Sequence, residues 1–484
     1  MKIHDLFENY DHKTDFCELF GPAGGPENES LLKDKLSHFK LRTLNKRNAA
    51  AERELRNLGI TFTVYSDAGA IDRILPFDPI PRPISAQDWD SLEAGCKQRV
   101  TAINLFLADI YSDQKIIKDD IVPADLILGN KNFRKEMVGL NLYANTYTHI
   151  SGVDLIRDNN GDFLVLEDNC RSPSGVSYVI ENRHLMRRSF PDLMEREFIE
   201  SVSNYGQKLR GKLLETAPPV DNPQAVLLTP GVFNSAYFEH VFLAREMGVS
   251  LVEGRDLIVD DDNRVFMKTI TGLSPVHVIY RRIDDDFLDP EVFREDSMLG
   301  VPGVMRALRA GNVTIANAVG TGVADDKAIY AYMPRIIEYY LNEPAILKNV
   351  ETYICREPDS LQYVLDHLPE LVVKPVGESG GYGIVIGPKA AQSELEEVRA
   401  LLKKDPSNYI AQPMINLSVC PTLTAKGVAP RHVDLRPFVL TGKDCWVLPG
   451  GLTRVAMREG SMIVNSSQGG GSKDTWVMRP EASA

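Results

Sequence analysis

The amino-acid sequence predicts an α/β protein in which two β-hairpin modules flank an inserted small parallel-sheet domain, preceded by a helical region. Three stretches carry this prediction. Asn160–Gly161 lies between two apolar runs, which is typical of a hairpin turn. A second hairpin is predicted over residues 371–387, where two β-branched runs flank a glycine-rich loop. Between them, strands and helices alternate over residues 225–316, as they do around a parallel sheet.

The 484 residues divide into four predicted regions, in line with the two to four domains, roughly, that this length allows. Residues 1–120 are predicted to be mainly helical and 121–216 to hold the first hairpin. Residues 217–326 would form the small α/β domain, because a proline pair follows Ala217. Residues 327–484 would hold the second hairpin.

The helical regions are predicted from apolar spacing and breaker residues. One helix is expected over residues 31–58 and another over 192–214. The proline-rich stretch Pro76–Pro83 cannot be helical and is predicted to be extended. It leads to Ser85, the predicted cap of a helix over residues 87–111.

Composition and charge exclude several classes of protein. A net charge of −13 argues against a nucleic-acid or anionic-membrane partner. The start of the chain lacks the apolar core of a signal peptide, and no apolar run is long enough to span a membrane. The six cysteines include no Cys-x-x-Cys pair, which favours reduced thiols over disulfides or zinc. We therefore expect a cytoplasmic protein.

The first hairpin is predicted to gather oxygen ligands. With Asn160–Gly161 as a two-residue turn, Asp154 lies opposite Glu167, and alternation places Asn169 on the same face. Two carboxylates and an amide oxygen suit Mg²⁺, and they would leave room for waters and phosphates. The alternative is a solvated acidic hairpin. Asp168 is predicted to point to the other face and to be structural.

Arg171 follows the hairpin at once, within a stretch rich in small hydroxyl residues, Arg171-Ser-Pro-Ser-Gly-Val-Ser. Two interpretations stay open for it. It contacts an anionic substrate or a phosphate, or it is an ordinary surface arginine.

The glycine-rich loop of the second hairpin is predicted to bind phosphate. Its glycines let backbone N–H groups approach an anion closely, and Lys374 adds a positive charge at the base of the loop. The loop lacks the Gly-Lys-Ser/Thr ending of a P-loop, and it joins two strands, which also excludes a dinucleotide-binding turn. The alternative is a glycine-rich hairpin with an unremarkable lysine.

Further strands are predicted toward the end of the chain. One spans residues 409–415. Another, over residues 431–440, alternates so that Asp434 and Arg436 share a face opposite Val433 and Leu435.

These motifs together resemble the ATP-grasp superfamily: a strand lysine before a glycine-rich hairpin, a downstream Tyr-Ile-Ala-Gln strand and an Asp…Glu-x-Asn hairpin. Because the metal hairpin precedes the phosphate loop, the sequence is similar to the circularly permuted ATP-grasp proteins, which include glutathionylspermidine synthase. The blocks Leu-Glu-Asp-Asn-Cys-Arg-Ser-Pro-Ser-Gly and Val-Asn-Ser-Ser-Gln-Gly-Gly-Gly-Ser-Lys-Asp-Thr-Trp-Val resemble its uncharacterised bacterial branch. The expected fold is therefore a circularly permuted ATP-grasp.

The resemblance implies a role for individual residues. It makes ATP and Mg²⁺ the expected cofactors and Arg454 a cation that stabilises the transition state. Arg171 is the second candidate catalytic residue, from its position directly after the hairpin. The implied Mg²⁺ ligands are Asp154, Glu167 and Asn169. The implied nucleotide contacts are Lys327 and Lys374 to phosphates, Ser379, Gly380, Gly381 and Gly383 in a lid, and Gln412, Pro413 and Met414 along the adenine edge.

The implied activity is an ATP-dependent ligation of a carboxylate to an amine through an acyl phosphate, with small-molecule or peptide-like substrates. The sequence has no convincing catalytic triad, and this chemistry requires no nucleophilic side chain. A second hypothesis is an ATP-binding partner protein without ligase activity. A dinucleotide-dependent enzyme is disfavoured because no Gly-x-Gly-x-x-Gly follows Leu228.

Overall fold

The computed structural model describes residues 6–22, 31–66, 69–194, 199–376, 383–464 and 469–479, with side chains for all of these except 31 and 61–73. Helices and strands are numbered in chain order. The helices are α1 (Leu31–Ser37), α2 (Leu41–Asn57), α3 (Ala86–Ile110), α4 (Lys115–Lys118), α5 (Ala124–Leu128), α6 (Val176–Ser189), α7 (Pro191–Met194), α8 (Tyr205–Leu214), α9 (Tyr237–Met247), α10 (Asp285–Leu288), α11 (Val304–Arg309), α12 (Lys327–Leu341), α13 (Pro358–His367) and α14 (Gln392–Lys404).

A ten-stranded sheet forms the body of the described chain. Its main path runs β13 (Lys348–Asn349), β5 (Phe163–Asn169), β4 (Ile150–Arg157), β19 (Gly427–Arg436), β22 (Leu452–Val455), β23 (Gly471–Met478) and β3 (Phe77–Ser85). Three further strands join it, β18 (Val419–Thr424) beside β19, β20 (Phe438–Thr441) beside β4, and β21 (Cys445–Val447) beside β20. The proline-rich stretch is thus a strand, β3, paired in parallel with β23.

Helix α3 lies on one face of this sheet, and its start is as predicted. The Ser85 hydroxyl accepts a hydrogen bond from the Asp88 N–H at 3.0 Å, which caps the helix. The predicted structural role of Asp168 is confirmed, because its carboxylate binds the Arg99 guanidinium of α3 through two 2.7 Å hydrogen bonds. Both side chains are buried, so this ion pair fixes β5 on α3.

The small parallel sheet is present as predicted, in the order β12 (Thr314–Ala316), β11 (Val278–Arg281), β6 (Ala225–Leu228) and β7 (Ser250–Val252). Part of the region predicted to alternate around it, residues 257–276, does not belong to it. Three strands form a separate antiparallel sheet, β8 (Leu257–Val259), β9 (Val265–Thr269) and β10 (Gly272–Val276). Short turns join these strands, and such turns can connect only antiparallel neighbours.

The second hairpin also forms as predicted. It lies in a four-stranded sheet with the order β14 (Tyr353–Ile354), β17 (Tyr409–Pro413), β15 (Leu371–Pro375) and β16 (Val385–Ile386). Val372 pairs with Ile386 and Val373 with Val385, so the glycine-rich loop joins two antiparallel strands. Helices α13 and α14 supply the apolar cluster that covers this sheet.

Two helix predictions require correction. The helix predicted over residues 31–58 is two helices, α1 and α2, separated by residues 38–40. The one predicted over residues 192–214 is also not continuous, because α7 ends at Met194 and α8 begins at Tyr205. The first 120 residues hold a further hairpin, β1 (Thr61–Ser66) with β2 (Gly69–Ile74), besides β3.

Within the described ranges, no helix combines the length and the apolar character needed to cross a membrane.

A buried histidine at the start of β4 predicts acid-sensitive stability. Burial lowers the pKa of His149 to about 4, and its Nδ1 atom has no hydrogen-bond partner among the described residues. The unfolded chain has a histidine pKa of about 6.5 and binds the proton first as the pH falls. Stability is therefore intact above pH 6.5, and about 3 kcal/mol is lost between there and pH 4.

The variant His149→Gln tests this prediction by denaturant unfolding at several pH values. Glutamine can still donate to the Thr216 hydroxyl, which lies 3.2 Å from His149 Nε2, but it does not titrate. The variant should lose about 3 kcal/mol less than wild type over this pH range. Equal losses in both proteins would contradict the prediction.

Candidate functional site

The first hairpin brings Asp154 and Glu167 together as predicted, but its turn and its strand register differ from the predicted ones. Its turn is longer than Asn160–Gly161, because the loop closes with the Asp158 N–H donating to the Asp162 carbonyl at 3.0 Å. The pairing shifts by one residue, and a bulge at Leu166 shifts it back. Asp154 therefore lies opposite Glu167 and Gly152 opposite Asn169.

Asp154 is buried and is bound by two guanidinium groups. Arg436 donates to both of its oxygens, from Nη2 at 2.7 Å and also from Nε, and Arg454 Nη2 donates at 2.7 Å. Burial alone would raise the pKa of this carboxyl, but Arg436 and Arg454 together hold it well below its usual range. This environment differs from that of an open metal ligand, since Oδ2 of Asp154 accepts from both arginines and Oδ1 accepts from Arg436.

Glu167 and Asn169 offer freer oxygens. The Glu167 side chain is about one-third exposed (36%), and its only ion pair among the described residues is with Arg436 at 3.9 Å. Burial raises the pKa of the Glu167 carboxyl, and the Asp154 carboxylate raises it further. The Asn169 amide donates weakly to the Gly152 carbonyl at 3.4 Å. One carboxylate and one amide oxygen fit Mg²⁺ that takes its other ligands from phosphates and water.

The described residues contain no group of three or more histidine, cysteine or acidic side chains placed to hold a metal ion.

Arg436 is a site residue that sequence reasoning missed. It comes from β19, and it passes over the backbone of Gly152 to reach Asp154. A Cβ atom on Gly152 would lie 3.1 Å from Arg436 Cδ and 3.2 Å from Pro173 Cβ, closer than ordinary packing allows. Gly152 therefore leaves the space that the arginine occupies, and the predicted shared face of Asp434 and Arg436 was the only signal of its position.

We expect Gly152→Ala to lower turnover about tenfold by displacing the Arg436 guanidinium, because catalytic groups tolerate misplacement of well under 1 Å. The matched control is Gly211→Ala, since Gly211 has no atom within 4 Å of the added Cβ. ADP release by the two variants is compared at equal thermal stability. Equal activities of the two variants would show that the contact with Arg436 has no catalytic consequence.

The two predicted phosphate lysines, Lys327 and Lys374, interact electrostatically with Glu167. The pKa of Lys374 is lowered to about 8, chiefly by burial; the Glu167 carboxylate opposes this shift and the charge of Lys327 adds to it. Lys374 Nζ donates to Gln412 Oε1 at 2.5 Å, and Gln412 Nε2 donates to the Thr352 hydroxyl at 2.9 Å. Lys327 is the first residue of α12, which Asp326 caps.

The predicted adenine and lid residues are only partly described. Gln412 and Pro413 lie in β17 and Met414 follows, but the Gln412 side chain is buried and engaged with Lys374. Gly383 closes the glycine loop with a positive φ of 71°. The predictions for Ser379, Gly380 and Gly381 lie outside the described residues.

An apolar cluster connects the first hairpin to the segment that follows β17. The segment that follows β17 packs Ile415 and Leu417 onto the first hairpin. The whole cluster consists of Ile156, Leu164, Leu166, Val350, Ile415, Leu417 and Met462. The region between the two sheets therefore has apolar side chains beside the lysines and the carboxylates, a combination that suits a nucleotide base and its phosphates.

Arg171 lies at the rim of this region. Its side chain is 40% exposed, and its Nε is 3.8 Å from Asp284, an ion pair too long for a hydrogen bond. Asp325 lies nearby and accepts a 2.5 Å hydrogen bond from the Cys170 N–H. Burial raises the pKa of the Asp325 carboxyl to about 7, against the opposing charge of Arg171. Sequence reasoning did not identify Asp325 as part of the site.

The comparisons with known proteins agree on the family. The profile of the family described as circularly permuted ATP-grasp type 2 matches residues 81–456. An uncharacterized protein of Synechocystis sp. is 52% identical over 475 residues, covering 98% of each chain. A Frankia casuarinae protein named "Putative glutamate--cysteine ligase 2-2" is 43% identical over 478 residues, which cover 98% of this chain and 55% of that one.

Among solved structures, a glutathione synthetase like-effector of Globodera pallida in its apo form superposes with a TM-score of 0.60. The match covers 91% of this chain and 98% of that one, with 11% sequence identity. At this identity, the likeness shows a shared fold.

Proposed function

The chain belongs to the circularly permuted ATP-grasp type 2 family, a family of ligases, and from this premise we propose that it is an ATP- and Mg²⁺-dependent carboxylate–amine ligase. The proposed reaction forms an amide bond through an acyl phosphate. One observation carries the proposal: Arg436 and Arg454 both bind Asp154 on the first hairpin, and Arg436 also forms an ion pair with Glu167 at 3.9 Å. The charges of Glu167 and Lys327, which both act on the pKa of Lys374, support placing the phosphates beside this group.

The role proposed for each side chain follows from its charge and from the groups that it contacts. Lys327 and Lys374 would bind the phosphates, and Glu167 and Asn169 would hold Mg²⁺, which when bound neutralises phosphate charge. Arg454 is fixed by Asp434 and Asp154, and none of the hydrogen bonds described for it uses Nη1. We assign this nitrogen to the oxygens of the transferred phosphoryl group, because a prealigned donor stabilises charge that develops in the transition state.

Asp154 acts, in this proposal, chiefly by orienting Arg436 and Arg454 toward the reacting atoms. Direct binding of Mg²⁺ by Asp154 stays a prediction, and Oδ1 is the oxygen available for it, because Oδ1 accepts from Arg436 alone whereas Oδ2 accepts from both arginines.

The substrate class is proposed from the rim of the site and from the relatives. The exposed, loosely paired Arg171 is suited to a substrate carboxylate. The Frankia relative, by its name, would join amino acids, which supports a small amino-acid or peptide-like pair for this chain. The likeness to glutathionylspermidine synthase adds glutathione and a polyamine to the candidates.

ADP release with Mg-ATP over a panel of carboxylate and amine pairs tests the proposal, comparing wild type with Glu167→Ala. The panel includes glutamate with cysteine and glutathione with spermidine. We expect turnover that depends on both substrates and that falls at least about 100-fold in the variant. If ATP binds but no pair raises wild-type turnover above that of the variant, the chain is an ATP-binding partner protein instead.

A further inference from the structure

Asn317 follows the last strand of the small parallel sheet, and its side chain is buried at the open end of the first hairpin. Its Oδ1 accepts from the N–H groups of His149 at 2.7 Å and Ile150 at 2.8 Å. Its Nδ2 donates to the carbonyls of Ile150 and Cys170, both at 2.7 Å, and weakly to that of Arg171 at 3.4 Å. One amide thus satisfies five backbone groups.

These bonds replace a missing part of the β-ladder. Backbone pairing between β4 and β5 stops at Gly152 and Asn169, and beyond it the Thr148 hydroxyl makes only a weak hydrogen bond to the Cys170 carbonyl at 3.4 Å. The Asn317 amide lies between the start of β4 and the segment that follows β5. Its oxygen accepts from the β4 side, and its nitrogen donates to carbonyls on both sides. It therefore closes the hairpin at the end where Asn169 and Arg171 lie.

A second side chain of the same connecting segment holds the same residue. Asp325 accepts from the Cys170 N–H at 2.5 Å, while Asn317 donates to the Cys170 carbonyl. Both polar backbone groups of Cys170 are thus bound by the segment that leads from β12 to α12. Because α12 begins with Lys327, this segment ties the position of Asn169 to that of a phosphate lysine.

We propose that Asn317 is a positioning residue that sets Asn169 and Arg171 relative to Lys327 and thereby determines how tightly the nucleotide site binds Mg²⁺. The inference rests on the proposed function of the hairpin. It assigns to the small domain a part in building the site, since the amide comes from the end of that domain's sheet and binds only the backbone of the hairpin.

The chain offers a matched control for this role. Asn104 is also a buried asparagine, and its Oδ1 accepts from Tyr147 N–H at 2.8 Å and Thr148 N–H at 3.0 Å. Its Nδ2 donates to the carbonyls of Val100 and Thr148 at 3.2 Å. Asn104 holds the segment before the hairpin and no group of Asn169 or Arg171, so a purely structural loss should be similar at both positions.

The experiment compares Asn317→Asp with Asn104→Asp. An aspartate at position 317 keeps the acceptor for β4 but turns a carboxylate oxygen toward the carbonyls of Cys170 and Arg171, which it repels. The Mg²⁺ concentration that half-saturates binding of a fluorescent ATP analogue is measured for each variant, with thermal unfolding in parallel. We expect a rise of about 10-fold or more for Asn317→Asp, as for lost support of a metal ligand, and less than about twofold for Asn104→Asp.

Equal shifts in the two variants would overturn the inference, because Asn317 would then be structural only. If Asn317→Asp fails to fold, Asn317→Ser replaces it, with the same expected shift and the same opposing result. Wild-type and Glu167→Ala measurements separate this inference from the proposed function. Nucleotide binding that is independent of Mg²⁺ in wild type would overturn both, whereas a Mg²⁺ dependence that Glu167→Ala weakens and Asn317→Asp leaves intact would overturn the positioning role alone.

Discussion

Replacing Arg454 with methionine is expected to lower the free energy of unfolding by about 3–5 kcal/mol and to abolish ADP release. Arg454 is buried and donates through Nε to both oxygens of Asp434, at 2.9 and 3.0 Å. Its removal leaves Asp434 as a buried carboxylate without its cation, whereas Asp154 keeps Arg436. Denaturant unfolding and ADP release measure the two losses.

A double variant separates stability from catalysis. Arg454→Met combined with Asp434→Asn removes the uncompensated charge together with its partner, and such replacements are often close to neutral in stability. We expect the double variant to regain most of the unfolding free energy and none of the turnover. Recovery of both would show that Arg454 acts only by supporting the fold.

Replacing Lys374 with methionine is expected to lower turnover as well, about 100- to 1,000-fold, but to keep or raise the free energy of unfolding. The lowered pKa of Lys374, at about 8, shows that burial next to Lys327 disfavours its charge. Methionine fills a similar volume without that charge, and the main loss is the hydrogen bond to Gln412. Binding of Mg-ATP, ADP release and thermal unfolding are measured together.

The exposed Lys403 on α14 provides the control, as Lys403→Met removes a lysine that is exposed to solvent, whereas Lys374 is bonded to Gln412. It should leave nucleotide binding unchanged. Unfolding of the Lys374→Met protein, or unimpaired nucleotide binding by it, would contradict the proposed phosphate contact.

The pattern of apolar and turn residues was enough to locate both hairpins in the sequence. It did not predict the turn length or the strand register of the first hairpin. The predicted pair of Asp154 with Glu167 is present, although the assumed two-residue turn is wrong. A longer loop moved the register by one residue and the bulge at Leu166 moved it back, so the two departures cancel. Neither leaves a clear mark in the sequence, because a turn dipeptide and an apolar run are compatible with both registers.

The contacts that complete the site come from distant parts of the chain, which explains why pattern reasoning missed them. Arg436 reaches Asp154 across a separation of 282 residues, and Asn317 reaches Cys170 across 147. The resemblance implied Gln412 at the adenine edge, which stays a prediction, and it gave no sign that the Gln412 side chain accepts from Lys374. Alternation gives the face of a strand, and which side chain from elsewhere meets that face depends on the assembled sheet.

The parallel pair β3 and β23 has a consequence for how the chain is made. During synthesis β3 leaves the ribosome early, whereas its neighbour β23 is among the last described strands to be made. The edge of β3 that pairs with β23 therefore stays unpaired during most of synthesis. Its prolines, Pro79, Pro81 and Pro83, fall at alternate positions and remove successive N–H donors from one side of the strand. A nascent chain in this state offers other strands little to bind, which protects it from aggregation until β23 emerges.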